Sequence, residues 1–258
     1  MDTPLSGDQF LLPTPILVSN TVELQDCIAQ LTDCDAIAID TEFMRTDTFF
    51  PILGLFQIFN GKKFWLIDPV PIPNLSPLAD LLTNEEIVKV FHSCSEDVEV
   101  LKHVLNCIPR PLFDTQIAAA FAGYGFSKGY AAIVEAILGV HVEKSETRSN
   151  WLQRPLSENQ LGYAALDVIH LLPVYRQLCE VLVQLDRKLW VDEDMRSLVK
   201  NASDKEDLSL YFQKVKGAWQ FSPQDLSALQ VLCEWREAEA RNRNRPRGRI
   251  VDDKTLLD

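Results

Sequence analysis

Asp40 and Glu42 close a short apolar run, Ala36-Ile37-Ala38-Ile39, that reads as a buried strand. Strand side chains alternate between faces, so the two carboxylates share one face roughly 7 Å apart. Such a pair repels and is costly to desolvate. A hard divalent cation, which takes oxygen ligands, would remove that cost; equally, the acids could cap the next element or face water. A further acid, Asp97, follows Phe91-His92-Ser93-Cys94-Ser95-Glu96 and sits where a strand gives way to a helix. There it either complements the helix dipole or joins the first pair at the sheet edge. Tyr163 and Asp167 are four residues apart on a helical stretch, so they share a helix face. They form either an ordinary hydrogen-bonded pair or a metal ligand beside a water-holding phenol. The segment from Lys144 to Leu156 contains Trp151 and Arg154, residue types that stack bases and contact phosphate. One buried tryptophan pinning a surface loop fits that segment as well.

The elements that must position these residues follow from periodicity. Thr21–Leu31 is amphipathic and enters through Ser19 or Asn20. Strands are expected at 36–42, 53–59, 63–67 and 87–91, with a short fifth at 112–113. Asn60-Gly61 makes the second and third an antiparallel hairpin. Helices are expected at 78–82, 96–105, 115–122 and 130–138, then as one long run over 158–184, and at 192–200. Strands first, then alternation, then helices alone, is the pattern of a three-layer α/β fold with a mixed five-stranded sheet. A polar stretch near Asn201–Asp207 suggests a linker, dividing the chain into 1–205 and 206–258. The second part holds one amphipathic helix from Gln224 to about Ala240 through Leu226, Leu229, Leu232, Cys233 and Trp235, a face that one helix cannot bury alone. This part reads as the N-terminal portion of a truncated helical domain.

Bulk properties narrow the classes. Hydrophobic content of 47% and charged content of 24% over 258 residues are those of a soluble globular protein. There is no membrane-length apolar run, and the first twenty residues carry no basic residue, unlike a signal peptide. Six cysteines without a C-x-x-C pair point to reduced thiols in a cytoplasmic protein. The net charge of −12 lies entirely in residues 1–205, which argues against broad electrostatic binding of nucleic acid. It leaves room for a local phosphate site carried by metal ions. Arg236, Arg241, Arg243, Arg245, Arg247 and Arg249 crowd into fourteen residues, either a solvated helix end or a backbone-contacting patch.

The order Asp40-x-Glu42, His92-x-x-x-x-Asp97, Tyr163-x-x-x-Asp167 resembles the three motifs of the DEDDy 3′–5′ exonucleases. The flanking text, Asp40-Thr41-Glu42-Phe43-Met44-Arg45, Leu53-Gly54-Leu55-Phe56-Gln57, Asp114-Thr115-Gln116, Lys144-Ser145-Glu146 and Trp151-x-x-Arg154-Pro155-Leu156, resembles bacterial ribonuclease D over residues 16–200. Residues 218–243 resemble the start of its HRDC domain. The resemblance implies a ribonuclease H-like fold and a two-metal 3′–5′ exoribonuclease using Mg²⁺ or Mn²⁺. It would release 5′-mononucleotides from RNA 3′ ends, with tRNA precursors among its substrates, as a cytoplasmic monomer without a membrane partner. It implies Asp40, Glu42, Asp97 and Asp167 as metal ligands and Tyr163 as the water-orienting residue. Thr41, Phe43, His92, Trp151 and Arg154 are the candidate substrate contacts. A DNA-directed exonuclease of the same family and a non-catalytic nucleic-acid-binding scaffold are the alternatives.

Overall fold

The computed structural model describes residues 14–142 and 149–257; Lys144, Ser145 and Glu146 of the ribonuclease D-like text lie outside them. Strand β1 (Ile16–Val18) leads into helix α1 (Thr21–Ala29), whose first amides are capped by the Asn20 side chain. Then follow β2 (Ala36–Met44), β3 (Ile52–Phe59), β4 (Phe64–Ile67), α2 (Ser76–Thr83), β5 (Val88–Phe91), α3 (Ser95–Leu105) and β6 (Leu112–Asp114). The helices α4 (Thr115–Phe121), α5 (Tyr130–Leu138), α6 (Glu158–Ile169), α7 (Leu171–Gln184) and α8 (Lys188–Ser203) complete the α/β body.

Six strands, in the order β1-β4-β3-β2-β5-β6, form the sheet among the described residues. The β2–β3 and β3–β4 pairings are antiparallel and the other three parallel, so the sheet is mixed as expected. It has one strand more than the five read from sequence. Ile16-Leu17-Val18 is too short to show a period, and only its parallel pairing with β4 makes it a strand. The long helix expected over 158–184 is two helices broken at His170. Pro173 has no amide to donate to the Ile169 carbonyl, and its ring clashes with that turn. Both correct the sequence reading.

The central strands are buried on both faces: Ile37, Ala38, Ile39, Leu55, Phe56 and Ile58 are fully enclosed. Helix α6 packs over β2, β3 and β4, α7 over β2 and β5, and α3 over β2 and β3. No helix among the described residues is long and apolar enough to cross a membrane.

Beyond α8, a second, smaller core gathers Tyr211, Val215, Ala218, Leu229, Cys233 and Leu256. It is built from a tight helical turn at Leu208–Lys214, the long helix α9 (Pro223–Asn242) and two short helices, α10 (Arg247–Ile250) and α11 (Asp253–Leu257). Leu229 and Cys233 of the α9 face are therefore covered, whereas Leu232 and Trp235 stay exposed. Most of the arginine cluster is internally paired. Glu237 is fully buried and ion-paired to Arg241 and Arg247, whose guanidinium groups both lie 4.8 Å from the Phe49 ring centroid. Arg236 pairs with Asp253, and Arg243 with Glu239. The Asn244 side chain accepts hydrogen bonds from the amides of Phe49 and Phe50 at 3.0 Å each. The α9 end thus clamps the loop that follows β2.

Candidate metal centre and exonuclease site

Asp40 and Glu42 project from β2 on one face, and Asp167 reaches them from α6. Carboxylate oxygens of all three lie within 4.8 Å of one another. Thr41 points to the opposite face of the strand, where its hydroxyl donates to the Asp97 carboxylate in the first turn of α3. Asp97 stands outside the close group of three, yet its negative charge helps raise the Asp40 pKa. Four acids from β2, α3 and α6 thus converge on one edge of the sheet.

Their electrostatics are those of an uncompensated anionic cluster. Burial and then the charges of Asp97, Asp167 and Glu42 push the Asp40 carboxyl well above the usual range. Burial, followed by Asp167 and Asp97, takes Glu42 up to about 8. Burial takes Asp167 to about 7 and Asp97 to about 6, although the Tyr163 and Thr41 hydroxyls respectively oppose the rise. Among the described residues no Lys or Arg forms an ion pair with any of the four. An all-oxygen donor set, crowded, partly accessible and lacking a cation of its own, fits a divalent metal. The Tyr163 phenol bonds to Asp167, and burial followed by the nearby acids raises its pKa, so it remains protonated at neutral pH.

The remaining candidates occupy three settings. Trp151 is buried, lies 6.2 Å from Tyr163 ring to ring, and backs onto Gly54. Gly54 sits where the β2–β3 register slips between Glu42 and Phe43, and a Cβ there would come within 2.7 Å of the Trp151 carbonyl oxygen. Only glycine lets the loop close against the strand. The Arg154 guanidinium is fully engaged: it bonds both oxygens of Asp68 at 2.5 and 2.7 Å and the carbonyls of Gly54, Trp151 and Gln153 at 2.7–2.8 Å. His92 Nε2 lies 3.1 Å from the Lys128 carbonyl and Nδ1 2.9 Å from the Thr115 hydroxyl, and burial lowers its pKa. Phe43 is half-buried at the bulge.

Tyr130 was not among the sequence candidates. Its hydroxyl donates to the Leu166 carbonyl at 2.6 Å, fixing α6 one residue before Asp167, and its ring meets His92 edge-on. An aromatic at a helix start carries no sequence signal of that contact.

A 3′–5′ exonuclease family profile matches residues 15–183, which contain every one of these side chains. The chain belongs to the 3′–5′ exonuclease family. An HRDC domain profile matches residues 225–258. Ribonuclease D of Pseudomonas paraeruginosa is 46% identical over 220 residues, covering 85% of this chain and 58% of that protein. The crystal structure of Escherichia coli RNase D, an exoribonuclease involved in structured RNA processing, superposes with a TM-score of 0.87 at 37% identity. That match covers 93% of this chain and 64% of the other. Brucella melitensis NrnC with bound Mg²⁺ matches at a TM-score of 0.59 and 26% identity, over 73% of this chain and 89% of that one. The chain thus spans about three fifths of the length of the ribonuclease D relatives it resembles.

Proposed function

We propose that this chain removes nucleotides one at a time from the 3′ ends of RNA, tRNA precursors among them, and releases 5′-mononucleotides. The observation that carries this reading is the meeting of Asp40, Glu42 and Asp167 within 4.8 Å beside Tyr163. In this reading Asp40, Glu42, Asp97 and Asp167 hold two divalent ions, Mg²⁺ or Mn²⁺. Such ions supply a water of lowered pKa and offset charge on the phosphate. Asp167 accepts a hydrogen bond from the Tyr163 hydroxyl, which leaves the phenol oxygen free to accept from the attacking water and aim it. A phenol whose pKa is raised is a poor base, so Tyr163 orients that water and does not deprotonate it. Thr41 fixes the Asp97 carboxylate, and the backbone beside it meets the terminal 3′-hydroxyl. Phe43 packs on the terminal base. Trp151 and Arg154 act as the wall behind Tyr163, and His92 holds the Lys128 turn. The six free thiols fit the reduced interior of a cell.

The test uses matched 5′-labelled RNA and DNA oligomers with free 3′-hydroxyls. A ladder shortening from the 3′ end is expected only with Mg²⁺ or Mn²⁺, and about tenfold faster or more on RNA, a difference of about 1.4 kcal/mol in barrier. Preference for DNA would move the substrate to the other sugar, and no shortening at all would refute the activity.

A further inference from the structure

Gln57 is the one polar residue in the apolar strand β3, Ile52–Phe59. It is fully buried, and neither its Nε2 nor its Oε1 has a hydrogen-bond partner. A buried amide in that state carries its desolvation cost uncompensated. Its setting points to what could satisfy it. In the antiparallel register Gln57 faces Asp40 directly, and Glu42, opposite Leu55, is its diagonal neighbour. On the other side it faces Leu66, while Leu55 and Phe59 flank it along its own strand face. Directly opposed residues hold their Cβ atoms about 4.5–5.5 Å apart on one face, within reach of a glutamine side chain. The polar partners within the paired register are therefore two of the carboxylates already described, Asp40 first.

Resting on the proposed metal-dependent reading, we infer that Gln57 is a positioning residue for Asp40: its Nε2–H donates to the Asp40 carboxylate when the site is loaded and fixes which oxygen faces the metal. A neutral donor suits the task. A lysine or arginine would cancel the negative charge that binds the cation, whereas an amide orients the carboxylate and leaves its charge in place. The unpartnered amide is a cost carried by the metal-free fold and recovered when the carboxylate is held in its ligating orientation.

The role separates from ordinary packing because the two predict opposite movements. Gln57→Leu removes both orphaned atoms and keeps the bulk. The metal-free variant should melt at or above the wild-type temperature, bind Mn²⁺ alone about tenfold more weakly by calorimetry, and lose kcat on an RNA oligomer with KM unchanged. Gln57→Met, closer in length and flexibility, should behave the same way. Wild-type Mn²⁺ affinity in either folded variant would overturn the inference, as would failure of both variants to fold, which would make Gln57 a packing residue. Wild-type protein and Asp40→Asn run alongside. Should the wild type neither bind Mn²⁺ nor shorten RNA, the proposed function falls and this inference with it; should it do both while Gln57→Leu matches it, only the inference falls.

Discussion

Asp40→Asn is expected to lower metal-dependent hydrolysis by about 10³-fold or more, some 4 kcal/mol of barrier, with the fold intact. Asp40 is the acid that feels all three others, through the charges of Asp97, Asp167 and Glu42. An amide keeps its shape but removes the charge that makes the group a ligand for a hard cation. The same substitution should raise the melting temperature of the metal-free protein, and the sign follows from linkage. Glu42 at about 8, Asp167 at about 7 and Asp97 at about 6 all lie above their ordinary values near 4. Carboxyls whose folded pKa is raised contribute stability that is complete below the unfolded pKa and lost as pH rises through the folded one. The metal-free wild type therefore loses stability between about pH 4 and 8 from this cluster, and Asp40→Asn relieves part of the repulsion. Differential scanning fluorimetry should show the gain over wild type to be larger at pH 8.5 than at pH 5.5. Mg²⁺ should raise the wild-type melting temperature and leave that of the variant nearly unchanged. Equal responses to Mg²⁺ would place the ion elsewhere.

Arg154→Ala is expected to destabilise the α/β body by about 3–5 kcal/mol, because it strands the nearly buried Asp68 carboxylate and uncaps three carbonyls. For a body of this size that is a fall of roughly 10 °C in melting temperature. Arg154→Lys should recover only part of it, since a single ammonium cannot reproduce the two-pronged contact with Asp68. Turnover should fall as well, because Arg154 ties the Trp151 carbonyl to Gly54, and Trp151 in turn backs Tyr163. An unchanged melting temperature together with weakened RNA binding would assign Arg154 to phosphate recognition instead.

Which parts of this site are visible in the chain follows from how local each signal is. The shared face of Asp40 and Glu42 follows from strand alternation alone, and that of Tyr163 and Asp167 from helical spacing. The bond from Thr41 on β2 to Asp97 on α3 joins residues 56 apart in the chain, and no local pattern encodes it. Trp151 and Arg154 have the residue types of a nucleic-acid contact, but their burial depends on Gly54 and Asp68, about a hundred residues earlier in the chain. The arginine cluster misleads similarly. Its charge is visible, whereas Glu237 as its buried counter-ion and Phe49 as its docking surface emerge only when α9 folds back on the β2–β3 loop. The break between α6 and α7 was legible at Pro173, and the helical periodicity on either side obscured it. Strand β1 was not legible, because three residues show no period and its partner β4 lies almost fifty residues away.

The most direct test of the central claim is the anomalous scattering of Mn²⁺ in crystals of the wild-type chain. Manganese peaks are expected within ligand distance of Asp40, Glu42 and Asp167, with Asp97 beside the same cluster, and they should vanish in Asp40→Asn. Full Mn²⁺-dependent shortening of RNA from a crystal form in which no manganese lies near Asp40 would contradict it.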